Sequence, residues 1–362
     1  MPWSLRTCLS SLSGFRDDSK LIGSRRTSVS SMTDVSLAEL LASIEPLAHD
    51  AEVEAFSVRP IQGFERHYVG RNAAGQPSLL LGSGPGVFHV PVRLAMLEAR
   101  FGSRHRIHPV DGEQREELLS VITCTSQDPQ AQTYFLHVGE TILRIIGPNP
   151  SLNDIVQAVQ RLIEVFRRLA RPASRSLNGL LGELFLIGVS RNVKASVEAW
   201  RSLDVDRFDF SVGDVRLDVK SSAERLRIHH LSAEQCKPPA GTVGLLASLF
   251  IESSGGGQSL RELVAAIEAA LADRDDLILK VQETIAGSLG ESLPTAMGAR
   301  YDDRLALASL LFYDLAAVPA IRDGVPSEVS QIHFRSDLSR TESLSETALR
   351  LMPETARQLL PR

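Results

Sequence analysis

The stretch Phe208-Asp-Phe-Ser-Val-Gly-Asp-Val-Arg-Leu-Asp-Val-Lys220 decides the fold. Two β-prone runs flank Gly213-Asp214, and glycine in the first turn position suits a two-residue type II′ hairpin turn. That turn pairs Val212 with Val215 and Phe210 with Leu217, and it sets Asp209 opposite Asp218 on one face. Period-two alternation adds Lys220 to the face of Asp218 and turns Val219 the other way, while Phe208 and Phe210 point to a core. Two facing carboxylates repel each other. A divalent cation bound between them removes that penalty.

Upstream, Leu180-Leu-Gly-Glu-Leu-Phe-Leu-Ile187 carries one charge, Glu183, in an apolar helical stretch expected to run from about Leu177 to Val189. An unpaired buried carboxylate is expensive. Glu183 is therefore either a metal ligand or water-organising group, or the acceptor of a structural partner. Gly179 and Gly182 let a backbone or ligand come close to it. With Asp209, Asp218 and the Val219 carbonyl as oxygen ligands for Mg²⁺ (or Mn²⁺), the metal would polarise a phosphoryl oxygen and acidify a bound water. Lys220 would orient that water or stabilise charge developing on phosphorus.

Around this centre the chain divides at Pro150. Ser151 caps a helix with Asp154 in its first turn, and apolar residues recur at Leu152, Ile155, Val159, Leu162, Phe166 and Leu169. Between 161 and 175 stand five arginines and one acid, Glu164. Arg167, Arg168 and Arg171, with Arg225 and Arg227, are expected either to contact phosphates or to form a solvated face. Gly241–Ile251 reads as a buried strand. Helices are expected at Ser259–Ala272, at Asp276–Ala286 and across 302–318, a short strand at Gln331–Arg335, and a terminal helix over Glu342–Leu360 broken near Pro353. Before Pro150 the helix Leu37–Ile44 is followed by short strands at Ser78–Leu81, Val90–Val92, Tyr134–Val138 and Glu140–Ile146. Residues 1–31, with nine serines and five basic residues, read as a tail.

The segment resembles the PD-(D/E)XK nuclease superfamily, the fold of many restriction endonucleases. Asp209 stands in the place of the first aspartate and Asp218-Val219-Lys220 in that of the D/E-x-K element, while the motif's proline is absent. Gly179-Leu-Leu-Gly-Glu-Leu184, Trp200 with Phe208-Asp-Phe210, and Asp218-Val-Lys-Ser-Ser222 are similar to an uncharacterised bacterial family of PD-(D/E)XK motif proteins. Such relatives commonly carry Glu at the position of Asp218, and some have a Gln-Leu pair where this chain has Gln235-Cys236. The resemblance implies an α/β, restriction-endonuclease-like core, a central mixed sheet flanked by helices, over 150–340. An N-terminal α+β domain is expected over 32–149 and a helical segment over 341–362. It also implies a Mg²⁺-dependent endonuclease acting on DNA in a bacterial restriction or phage-defence system, with Glu183, Asp209, Asp218 and Lys220 catalytic. Gln235 is expected at the substrate or capping the sheet edge. The alternative is a catalytically silent nucleic-acid-binding or assembly subunit of such a system.

Composition bounds these readings. The formal net charge is −5, so affinity for DNA has to come from a local basic surface. No apolar run approaches the ~20 residues that span a bilayer, and three scattered cysteines, Cys8, Cys124 and Cys236, make no disulfide framework. A reducing cytoplasm is expected. Partners expected are DNA, a second copy of the chain (two sites cut a duplex most simply) and other proteins of a defence system. No phosphate-binding Walker loop is present, and Ser221 and Ser222 lack a histidine–acid relay. His229 and His230 are adjacent in a strand, so at most one points inward. A third reading, a structural α/β protein with surface ion pairs at Asp209 and Lys220, leaves a buried Glu183 unexplained.

Overall fold

The structure is a computed structural model that describes residues 36–45, 55–84, 86, 89–201 and 206–362. The tail expected over 1–31 and Cys8 lie outside the described residues. Helix α1 (Leu37–Ala42) opens on a capping box between Ser36 and Glu39. Six strands follow: β1 (Ala55–Ile61), β2 (Phe64–Asn72), β3 (Pro77–Gly82), β4 (Val92–Arg93), β5 (Leu97–Pro109) and β6 (Arg115–Cys124). Neighbours in the order β1-β2-β3-β6-β5-β4 pair antiparallel, and β1 also pairs in parallel with β5. Five strands thus close into a barrel, which the pattern of short strands did not foretell. The register of β5 slips between Arg100 and Ser103, and such a bulge bends a strand. Beyond the slip, Arg106–Pro109 reaches Ala55–Val58 and completes the ring.

The strands expected at Tyr134–Val138 and Glu140–Ile146 are one helix instead, α2 (Pro129–Ile146). Asp128 accepts from the Gln130 N–H as its cap, and Pro129 supplies a first-turn residue with no N–H to satisfy. Ala131, Phe135, Val138 and Ile142 then recur on one buried face, a helical period continuing over a length no short strand matches. Of Val90–Val92 only Val92 joins a strand. Helix α3 (Leu152–Leu169) starts on the expected cap, Ser151, which Asp154 completes as a capping box, and α4 covers Leu177–Val189 as the apolar stretch predicts.

After α5 (Val193–Ala199) the chain forms β7 (Phe210–Val212), β8 (Val215–Ser222), β9 (Ile228–Ser232), β10 (Val243–Phe250) and β11 (Ser253–Ser259). Helices α6 (Leu260–Ala270), α7 (Asp275–Leu289) and α8 (Leu293–Ala296) lead to β12 (Arg300–Tyr301). The single helix expected across 302–318 is α9 (Asp303–Ser309) followed by β13 (Leu311–Asp314), whose backbone pairs with Leu245–Ser248 of β10. Strand β14 (His333–Asp337) pairs with β9, and α10 (Glu346–Arg350) and α11 (Glu354–Leu359) divide at Pro353.

The sheet that matters for function has the order β13-β10-β8-β7 and is mixed: β8 and β10 are parallel, the outer pairs antiparallel. Val215, Leu217 and Val219 of β8, with Leu245, Ala247 and Leu249 of β10, lie in the main core, where α4 packs on β8. That core runs from Leu37 to Leu360 and includes residues from both sides of the turn at Pro150. Leu246 and Tyr313 belong to a second, smaller cluster with Phe208, Leu231, Cys236 and Leu338. Asp218 pairs in register with Leu246, and the β9–β14 ribbon contributes Leu231 and Phe334 to the cluster beside it.

Candidate functional site

The hairpin keeps the register read from its turn. Val212 pairs with Val215 and Phe210 with Leu217, and Gly213 adopts φ +52°, a conformation glycine takes without the strain a Cβ brings. The ladder stops one residue before Asp209. There the Arg201 N–H donates to the Asp209 carbonyl at 2.9 Å, and Trp200 bridges to Phe210. The exit of α5 therefore takes the place of a longer β7. Asp209 is not a cross-strand partner of Asp218 in the ladder; its Oδ2 instead accepts the Val219 N–H at 2.7 Å. Its charge still acts on Asp218.

Asp218 is 1% exposed. Its Oδ1 accepts from Gln235 Nε2 at 2.9 Å, and Gln235 is tied in turn to the Ser232 N–H. Oδ2 meets no donor in hydrogen-bond alignment; the Lys220 ammonium lies 2.8 Å away, off that line. Burial pushes the Asp218 carboxyl up to about 7, Lys220 pulling it down and Asp209 pushing it further up. Burial works against the Lys220 ammonium, but the charges of Asp218 and Asp209 outweigh it and raise its pKa, so the lysine is a cation.

Glu183 is buried on α4, the helix that lies against β8. A Cβ on Gly182 would come within 3.1 Å of Ser221 Cβ and 3.4 Å of Val219, so the small residue permits this close approach. Arg175 donates to both Glu183 oxygens, at 2.9 and 3.1 Å, Arg201 to Oε1 at 3.1 Å, and the Trp200 indole N–H to Oε2 at 2.8 Å. Both arginines extend to Asp209 Oδ1, Arg201 at 2.8 Å and Arg175 at 3.5 Å. Burial and the Asp209 charge push the Glu183 carboxyl well up, against Arg175 and Trp200. Yet its two oxygens receive four N–H contacts, an arrangement that suits the anion. Three acids are thus matched by three cations: Arg175, Arg201 and Lys220. A lone acid in an apolar helix demands a partner. Nothing in the sequence identified Arg201 as that partner, and Arg175 read only as part of a basic run.

Of the other arginines expected at phosphates, all but Arg171 have side-chain partners of their own among the described residues. Arg167 and Arg168 pair with Glu164, at 2.6 and 3.2 Å, and Arg161 with Glu283 at 2.8 Å, on a helix that packs against α2, α7 and β5. Arg171 is exposed and its carbonyl accepts the Glu291 N–H. Arg225 pairs with Glu252, and Arg227 turns inward to the Ser248 and Ser309 carbonyls. His229 is buried on Ser248 Oγ at 2.8 Å while His230 is exposed, as adjacency in a strand requires.

Among the described residues no three His, Cys, Asp or Glu side chains gather into a metal-binding cluster. Mg²⁺ needs fewer, since it keeps waters and substrate oxygens beside one or two carboxylates. The unaligned, buried Asp218 Oδ2 is the donor atom this arrangement leaves for a cation, with Asp209 and the Val219 backbone beside it. Asp218 Oδ2 suits a divalent ion directly, whereas Asp209 would join it by giving up an arginine contact at Oδ1; Glu183, with both oxygens also occupied, anchors the two arginines. No described helix is long and apolar enough to cross a membrane.

Residues 45–339 match the profile of a family described as "Putative PD-(D/E)XK family member, (DUF4420)". No curated protein and no solved structure matches the chain.

Proposed function

The chain belongs to the DUF4420 family, and from that premise we propose that it is a Mg²⁺-dependent endonuclease that hydrolyses phosphodiester bonds of DNA. The observation that carries the reading is the buried Asp218–Lys220 pair, 2.8 Å apart, with Asp209 bonded to the backbone between them. Asp209 and Asp218, with the Val219 carbonyl, would hold Mg²⁺ or Mn²⁺. Bound there, the ion would polarise a phosphoryl oxygen and acidify a water. Gln235 holds Asp218 through Oδ1, so that Oδ2, beside Lys220, is the oxygen turned to a ligand. Arg175 and Arg201 hold Asp209 from the side opposite Val219 and offset the repulsion between the acids. Lys220, a compact cation beside the acids, orients the attacking water and stabilises the charge that grows on the phosphoryl oxygens. The resemblance of the motifs to bacterial PD-(D/E)XK motif proteins supports a role in a restriction or phage-defence system.

One observation favours the alternative, a silent DNA-binding subunit: the site is already charge-balanced, three acids against three cations. A cleavage assay separates the two. Supercoiled, linear, single-stranded and modified DNA are incubated with Mg²⁺ or Mn²⁺ and either wild type or Lys220→Ala. Metal-dependent cutting that Lys220→Ala abolishes supports the enzyme. Equal cutting by both assigns the activity to another site, and DNA binding without turnover on every substrate supports the subunit.

A further inference from the structure

Next to Arg201, at the β7–β8 hairpin, lies a cleft of about 450 Å³. Its walls come from the end of α5, the hairpin, the Pro239 turn and α7. Four cations line it, Arg201, Arg207, Arg216 and Lys280, against two acids, Glu198 and Asp206. Glu198 is already met from another side by Arg274 at 2.8 Å. Lys280 spends its three donors on the Val197, Glu198 and Trp200 carbonyls that end α5, so it builds the wall as well as charging it.

Arg207 and Arg216 are differently placed. Arg207 donates to the Lys237 carbonyl at 2.6 Å and lies over the Phe208 ring; Arg216 donates to the Gly213 and Val215 carbonyls at 2.9 and 2.7 Å. Among the described residues neither forms an ion pair with a carboxylate, unlike Arg167 and Arg168. Their guanidinium groups are held in position by neutral oxygens. Arg201 joins this cleft to the acidic site. Its Nη2 lies 2.8 Å from Asp209 Oδ1, while its buried Nε has no hydrogen-bond partner among the described residues. Two guanidinium groups with no carboxylate partner among the described residues suit oxygens of a phosphodiester, which guanidinium binds as a planar fork.

We propose that this cleft, through Arg207 and Arg216, holds the sugar-phosphate backbone of the DNA strand whose reacting phosphate lies at Asp218 and Lys220. The strand would leave the acidic site past Arg201 and lie against the hairpin at Ser211 and Arg216. The choice of DNA rests on the proposed nuclease reading; the binding site does not require that cleavage occur.

The test reads binding alone. A fluorescent duplex is titrated with protein in EDTA at several salt concentrations, using wild type, Arg207→Gln/Arg216→Gln and, as the contrast, Arg167→Gln/Arg168→Gln. Losing two phosphate contacts should flatten the log affinity against log salt slope by about 1.8, at ~0.9 per contact. The α3 pair should leave the slope unchanged. Ser211→Glu, an exposed position in the same cleft, adds a negative charge without removing any bond and should also weaken binding. An unchanged slope in the cleft variant, or no duplex binding by wild type, overturns the proposal. Inorganic phosphate that displaces the duplex at constant ionic strength would make the cleft a small-anion site and overturn the assignment to DNA. A flattened slope without metal-dependent cutting keeps the cleft and removes the nuclease; cutting with an unchanged slope does the reverse.

Discussion

Replacing Glu183 with Gln tests whether the arginine clamp is ionic. Glu183 is 3% exposed, and its oxygens take two contacts from Arg175, one from Arg201 and one from the Trp200 indole. Glutamine keeps the shape but removes the charge and turns an NH₂ toward guanidinium donors. The two arginines, 15% and 16% exposed, are then left with Asp209 alone. Removing one member of a buried ionic network costs about 3–5 kcal/mol. With an unfolding entropy of ~2.1 cal/mol/K per residue, some 300 cooperatively folded residues give ~0.6 kcal/mol/K, so the melting temperature should fall by roughly 5–8 °C. Calorimetric melts at neutral pH measure this directly. Changing Glu183 and Arg175 together to Met should recover part of the loss, because Arg201 then stays with Asp209 at 2.8 Å and no buried charge of the clamp is left unpaired. If Glu183→Gln melts with the wild type, the clamp is not ionic. A proton shared between Glu183 and Asp209 would then be relieving the repulsion that pushes the Glu183 pKa up.

Asp218→Asn should weaken Mg²⁺ binding measured by titration calorimetry, whereas Lys220→Ala should retain much of it and lose turnover; equal metal affinity in wild type and Asp218→Asn would remove Asp218 from the ligand set. Burial holds the His229 pKa near 4, below the usual ~6.5 of an unfolded histidine. Between those values the unfolded chain binds the extra proton, so stability is full above pH ~6.5 and falls by about 3 kcal/mol as pH drops toward 4. His229→Gln, which can still bond Ser248, should flatten urea-derived stability over that window; an unchanged slope would assign the acid sensitivity to other groups.

Local chemistry made much of the centre legible. Gly213-Asp214 sets the register of the hairpin, alternation puts Lys220 beside Asp218, and the largely apolar run of Val243–Phe250 announces a strand buried between neighbours. Ser151 with Asp154 marks the start of α3, since a cap is a contact between residues three apart. Helix α2 was missed although Asp128-Pro129 carries a start signal of the same kind. Other features depend on which distant segments meet, and no local pattern encodes that. Parallel pairing of β1 with β5 closes the barrel. The exit of α5, by bonding the Asp209 carbonyl, ends the ladder a residue early and turns Asp209 toward Val219. Glu164 and Glu283 take up the charge of the α3 arginines, while Arg207 and Arg216 bond backbone carbonyls at the cleft. A sequence shows that a buried acid such as Glu183 needs a partner, because desolvation makes an unpaired charge costly. Only the tertiary structure selects Arg175 and Arg201, because an ion pair is decided by distances of a few ångströms that chain separation leaves open.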